Sequence, residues 1–311
     1  MTNQANALAT AEAIALEPDD KRPVLTLPRI ASMVLSLLVL LMAINQMRAL
    51  KLADITALVP SSPLFWVLFA ISYLAGPVSD WIIFRRLWHI GGSAFGALLR
   101  KLIYNELLVG YLGEVYFYSW ARRHLPLEGS PFGAVKDVAV LSALTGNIIT
   151  LLVMAIASPF LRLLPLDGHA GAIGWSLAFV IGTSIAVMIW RGAIFSLDRS
   201  ELWFVGSVHV GRIVLTTVLS AVLWHLVLPS VELYWWLLLA AIRLLISRLP
   251  FVPNKDIVFA GVAILAIGSD AQMAALVTMM AGLILLTHIL IGVSYALVDL
   301  IEGDKNAKGA R

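Results

Sequence analysis

The chain has 311 residues, 60% of them hydrophobic and 13% charged, against about 25% charged in an ordinary soluble domain. Its mean hydropathy is +0.90. That balance predicts an integral membrane protein. The net charge of +3 is too small and too scattered for a nucleic-acid footprint, and the absence of cysteine excludes disulfides, thiolate metal sites and a Cys nucleophile.

The first 20 residues carry Glu12, Glu17, Asp19 and Asp20 but no Lys or Arg, the wrong charge for the basic start of a signal peptide. Residues 1–29 are therefore expected to form a cytoplasmic tail. Apolar segments follow at Ile30 to Met47, Leu64 to Phe84, Val138 to Phe160, Gly171 to Trp190, Gly206 to Leu228 and Ala271 to Leu300. Each is long enough, or nearly so, to span a bilayer as a helix. Two further regions are long but interrupted. Ala94 to Ala121 carries Arg100, Lys101, Glu106, Gly110, Gly113 and Glu114, and Leu233 to Gly268 carries RLPFVPNKDIVF at its centre. The apolar run after that centre, Ile257 to Gly268, reaches only about 18 Å as a helix, short of the roughly 30 Å hydrocarbon core.

Charge asymmetry favours a re-entrant hairpin for each interrupted region. In that arrangement Lys21, Arg22 and Arg29, then Arg85 and Arg86, Arg122, Arg123 and Lys136, Arg191 and Arg199, and finally Lys305, Lys308 and Arg311 share one side, the cytoplasm by the positive-inside rule. Arg48, Lys51 and Arg162 are the exceptions. The expected fold is thus an all-α polytopic membrane protein, with six transmembrane helices and two oppositely oriented re-entrant hairpins. The domain runs over 30–300, both termini are cytoplasmic, and the two halves are inverted copies in layout. Broken helices that meet near the midplane are how many transporters build a substrate site.

Two stretches carry a resemblance. YNELLVGYLGEVYFYSWARRHL, from Tyr104 to Leu125, and RLPFVPNKDIVFAGVAIL, from Arg248, are similar to the transmembrane flippase-like region of the lysylphosphatidylglycerol synthase family. The positions that match are Asn105, Gly113, Glu114, Leu249, Pro250 and Pro253. Tyr111 and Leu112 stand where that family has a proline before its Gly-Glu pair, and Asn254 and Lys255 stand where it has glycines. The resemblance implies movement of polar lipids across the bacterial inner membrane. Because 301–311 is too short for the soluble aminoacyl-transfer domain of the synthases, headgroup synthesis is not expected, and neither is any enzymatic activity.

Ionisable side chains at membrane depth cost at least about 2.5 kcal/mol each, so they face partners or a wet cavity. Glu106 and Glu114 on one hairpin, with Arg243, Arg248 and Lys255 on the other, would suit an anionic or zwitterionic lipid headgroup, because Arg can grip phosphate bidentately. A structural ion pair between the hairpins is the alternative. Pro250 and Pro253 predict an unwound turn, after which Asn254 to Asp256 would open a short helix with Asp256 as its cap, its free N–H groups adding to an anion site.

Other polar residues read as structure. His209, His225 and His288 lack ligand-like spacing and are expected in helix packing, with no metal and no cofactor. Arg212 is expected to snorkel, Asn147 to bond between helices, and Asp80 to pair with Arg85 or Arg86. Three functions remain in view: lipid headgroup translocation, a proton-coupled carrier of a small polar metabolite using Glu106 or Glu114, and a non-transporting scaffold whose partners would be envelope-assembly enzymes.

Overall fold

A computed structural model describes residues 59–107, 111–127, 130–161, 170–190, 194–248, 259 and 271–308. All of them fall within one compact unit, Leu40–Arg311. The described residues form helices α1 (Pro63–Trp88), α2 (Phe95–Leu107), α3 (Leu112–His124), α4 (Phe132–Leu161), α5 (Ala170–Ile189), α6 (Arg199–Val227), α7 (Leu233–Arg248) and α8 (Ala271–Lys308), with a 3-10 turn at Gly92–Ala94, and no strand among them.

Four of these are long and apolar enough to cross a membrane: Pro63–Trp88, Phe132–Ile156 within α4, Arg199–Val227, and Ala275–Tyr295 within α8. The full helices that hold these spans cover the segments expected from 64, 138, 206 and 271, apart from Leu228. The helices outrun the apolar runs, because hydropathy marks only the stretch bathed in hydrocarbon whereas backbone bonding carries the helix on into the polar interface. The segment expected from Gly171 is helical as α5. The segment Ile30 to Met47 lies outside the described residues.

The first interrupted region is a helix–turn–helix. Its two helices, α2 and α3, have 13 residues each, about 20 Å, and so neither alone matches a roughly 30 Å core. They pack on each other, and α2 also packs on α1 and α8. In the second region only the first arm, α7, and Phe259 are described. With 16 residues α7 reaches about 24 Å.

Local signals account for the helix ends. Pro63 occupies the first turn of α1, where its missing N–H costs nothing. Arg85 and Arg86 stand in the last turn, and His89 closes it in the left-handed region at φ 54°. Arg122, Arg123 and His124 likewise fall in the last turn of α3, where cations meet the negative end of the helix dipole.

The core has two apolar clusters and a polar layer between them. One cluster joins the start of α1 to the end of α6 and to α7, through Phe65, Phe69, Trp224, Trp236 and Leu239. Trp224 lies 5.4 Å from Phe259 and 5.9 Å from Trp236, ring to ring. The other cluster joins the end of α1 to α2, α3 and the start of α6, through Ile83, Phe84, Leu98, Phe117 and Val205. Arg86 forks onto Glu201 beyond this second cluster, with Nε 3.0 Å from Oε2 and Nη2 3.1 Å from Oε1.

A buried carboxylate fixes the chain entering α6. Asp137 on α4 is fully buried, and its Oδ2 accepts the Ser196 N–H at 2.6 Å, the Ser196 hydroxyl at 2.9 Å and the Leu197 N–H at 2.7 Å. Lys136 places its ammonium 3.2 Å from Oδ1 and donates to the Ile194 carbonyl. Asp137→Ala strands those donors and the lysine, and is expected to cost about 3 kcal/mol. The unfolding midpoint of the purified protein in detergent should fall by several degrees, and Asp137→Asn should fall less. An unchanged midpoint would contradict this assignment.

Candidate functional site

The polar layer is built around the helix–turn–helix. Lys101 and Asn105 are four residues apart on α2 and so share one face, which is turned toward α1 and α3. The Lys101 ammonium, with its side chain 9% exposed, lies 2.7 Å from Oδ2 of Asp80 on α1 and 3.4 Å from Oε1 of Glu114 on α3. Asn105 Nδ2 donates to the same Glu114 oxygen at 3.2 Å, and its Oδ1 accepts the Gly113 N–H at 2.7 Å. One amide therefore fixes the catalogue of groups around Glu114 and satisfies one of the donors left open at the start of α3. Glu114 Oε2 meets no hydrogen-bond partner among the described residues.

Backbone geometry explains the residues at the turn. A Cβ on Gly113 would sit 2.1 Å from the Lys101 carbonyl oxygen and 2.6 Å from Asn105 Oδ1, so only glycine lets α3 approach α2 this closely. Tyr111, just before α3, takes φ 75°, an uncommon conformation for a residue with a side chain.

Asp80, Lys101, Asn105, Glu114, His209 and Arg212 all line a cavity of about 220 Å³. On α1 its wall is Gly76 and Pro77. Gly76 brings no side chain, and Pro77 has no N–H for the helical bond to the Tyr73 carbonyl. From α6, His209 is buried, and Arg212 Nη2 donates to Ser142 on α4 at 2.9 Å. The Arg212 Nε meets no partner among the described residues.

A larger cavity of about 500 Å³ lies beside the first. Glu106, Arg243, Tyr73 and His288 line it, together with hydroxyls of Ser72, Thr216, Thr217 and Ser220. Tyr73 Oη and His288 Nδ1 are 2.8 Å apart, tying α1 to α8. The Arg243 guanidinium carbon is 5.9 Å from the Phe259 ring centroid, which places the cation over the aromatic floor. Leu102 and Glu106 line both cavities.

The structure thus sorts the expected site residues into two groups. Asn105 and Glu114 line the smaller cavity, with Gly113 bonded to Asn105, while Arg243 lines the larger one and Glu106 lines both. Within the described residues Glu114 takes its cation from its own helix pair. That cation is Lys101, because the 13-residue arms set Lys101 and Glu114 opposite each other. Two expectations are corrected. Asp80 pairs with Lys101, since Arg86 is engaged by Glu201 and Arg85 lies over Trp81 at 4.8 Å. Arg212 does not snorkel. It stands more than three turns into α6 and is held inside by Ser142. Asn147 bonds Thr183 on α5 at 3.3 Å, an interhelical bond as expected. The Arg248 side chain and Pro250, Pro253, Asn254, Lys255 and Asp256 lie outside the described residues.

Lys101, Asp80, Arg212 and Tyr73 were not among the residues that sequence reasoning assigned to a site. The usable signal was charge at membrane depth: Asp80 and Lys101 are opposite charges in neighbouring apolar stretches, and such charges find partners there. Among the described residues, no group of three or more His, Asp and Glu side chains could hold a metal ion. No protein-family model matches the chain, and neither does any curated protein or solved structure.

Gly113→Ala is expected to force α2 and α3 apart, because the new methyl meets backbone that cannot turn away. The cost should be about 3 kcal/mol or more, read as a lower unfolding midpoint in detergent. Gly76→Ala, with nothing within 4 Å of its Cβ, should leave that midpoint nearly unchanged. Equal midpoints for the two variants would refute the close-approach argument.

Proposed function

We propose that the protein moves a polar lipid headgroup across the bacterial inner membrane without chemistry on the substrate. The observation that carries this reading is the larger cavity. About 500 Å³ lies in the range of small-molecule sites, and its lining sets the Arg243 cation, the Glu106 carboxylate and several hydroxyls inside an apolar bundle. Groups of both signs suit an anionic or zwitterionic headgroup, with Arg243 taking a phosphate oxygen. Trp224 and Phe259 add aromatic rings to the wall.

The reading includes a topology of six spans and two opposed re-entrant hairpins, with both termini in the cytoplasm. It is supported by the short arms of α2 and α3, by the shortness of α7, and by the placing of Arg and Lys at one end of the segments. It also keeps the resemblance to the flippase-like region of the lysylphosphatidylglycerol synthases, on Asn105, Gly113 and Glu114. In this reading the Gly-Glu pair has two duties: Gly113 allows the close approach and Glu114 takes the Lys101 ammonium.

A second reading, a proton-coupled carrier of a small polar metabolite, is favoured by one observation, the Glu114 oxygen that meets no partner among the described residues in a polar cavity. A carboxylate so placed can accept a proton without losing a hydrogen bond.

The test is movement of labelled phosphatidylglycerol between leaflets in vesicles of phosphatidylcholine and phosphatidylglycerol that contain the purified protein. The protein should speed this movement over protein-free vesicles, and Arg243→Ala should slow it by about tenfold or more, the worth of one charge-assisted hydrogen bond. Arg199→Ala, at the exposed start of α6, should change it less than about twofold. No acceleration over protein-free vesicles would reject the lipid reading. A dependence on an imposed proton gradient, with no lipid movement, would favour the carrier.

A further inference from the structure

The two cavities share two lining residues, Leu102 and Glu106, and α1 and α6 contribute to both walls. On α6, His209 and Arg212 face the smaller cavity while Thr216 and Ser220 face the larger. Steps of three, four and four residues keep all four side chains on one face of the helix. From His209 to Ser220 this polar stripe rises about 16 Å, roughly half of the 30 Å hydrocarbon core. Opposite it, α1 offers a matching face: Asp80 and Gly76 in the smaller cavity, then Tyr73 and Ser72 in the larger. A purely structural role would not call for polar groups along both facing helices.

The hydroxyls of the stripe are bonded so that the path tolerates being dry or wet. Thr216 donates to the Arg212 carbonyl at 2.9 Å and Ser220 to the Thr216 carbonyl at 2.8 Å. Each proton is thus satisfied within α6, and the oxygen lone pairs remain for water or a polar solute. What separates the two spaces is α2. Its Leu102 and Glu106, four residues apart and so on one face, are the residues common to both linings. Leu102 is half-buried and Glu106 is exposed to the open space.

We infer that the two cavities are halves of a single polar route through the bundle, and that Leu102 and Glu106 on α2 form the plug between them. The inference deepens the transport reading and rests on it for what moves, but the route itself can be tested without a substrate. The position of the plug also assigns a purpose to the Lys101 pairings. Lys101 precedes Leu102 directly, so the contacts of its ammonium to Asp80 and Glu114 hold the plug in register with α1 and α3.

Since the chain has no cysteine of its own, single cysteines report access directly. Ser220→Cys probes the larger cavity and Ala143→Cys, on α4, the smaller one. A charged, membrane-impermeant methanethiosulfonate is applied separately to the two faces of vesicles holding the full chain. In the otherwise unchanged protein the two positions should label from opposite faces. Adding Leu102→Ala should let each label from both faces, with the slow face accelerated at least about tenfold. Glu106→Gln, which keeps the size of the side chain, should not open the route by itself. Labelling of both positions from the same face in the unchanged protein would overturn the inference whether or not the Leu102 variant folds. So would a folded Leu102→Ala protein whose labelling is unaltered. If the access pattern is as expected but phosphatidylglycerol does not move, the lipid reading fails and the plug stands.

Discussion

A lysine ammonium held between two carboxylates inside an apolar bundle is the constraint around which this protein is arranged. Taking any of these charges out of water is costly, and the cost is met only when the partners arrive together. Lys101 comes from α2, Asp80 from α1 and Glu114 from α3, so satisfying the lysine forces three helices into one register. Asn105 completes the set by holding Glu114 and the first turn of α3 with one amide. Gly113 makes the contact sterically feasible. Replacing any of these residues changes the position of the whole helix pair, since each supplies a bond that the others cannot replace.

This pin also explains why the polar layer lies between two apolar clusters. The Phe84–Phe117–Val205 cluster buries large side chains where the end of α1 meets α2, α3 and the start of α6, and the Phe65–Trp224–Trp236 cluster does so where the start of α1 meets the end of α6 and α7, its Trp224 and Phe259 also walling the larger cavity. Between them Gly76 contributes no side chain and Pro77 no N–H, and polar groups of α1, α2 and α6 face open space. The apolar clusters fix the long helices, and the Phe84–Phe117–Val205 cluster also holds α2 and α3.

Much of the architecture was legible in the sequence because apolar run length is read directly by the bilayer. The runs starting at Leu64, Val138, Gly206 and Ala271 each became a long helix. The broken run from Ala94 to Ala121 became two short ones, as the charges and glycines within it implied. The resemblance pointed to Asn105, Gly113 and Glu114, but not to the contacts that they make. That Gly113 is there for a 2.1 Å conflict with the Lys101 carbonyl depends on how two helices cross, which no local pattern encodes. The partners of Asp80 and Arg212 were misread for a related cause. Arg85 and Arg86 are near Asp80 in sequence, but they project beyond the membrane-facing part of α1, while Lys101, 21 residues away, projects inward. Sequence proximity and apparent depth were poor guides once a neighbouring helix could offer a cation at 2.7 Å.

The central claim is that the Asp80–Lys101 pair acts as one unit in holding the helix pair to α1. A double-mutant cycle measures that directly: Asp80→Asn, Lys101→Met and the combined variant, each purified in the same detergent and unfolded thermally alongside the unchanged protein. Either single change leaves a buried charge without its partner, so each should lower stability, whereas the combined change removes both charges and should cost much less than the sum. An interaction energy of about 2 kcal/mol or more is the expected result. Additive losses, within about 0.5 kcal/mol of the sum, would show that the two residues do not depend on each other and would contradict the account.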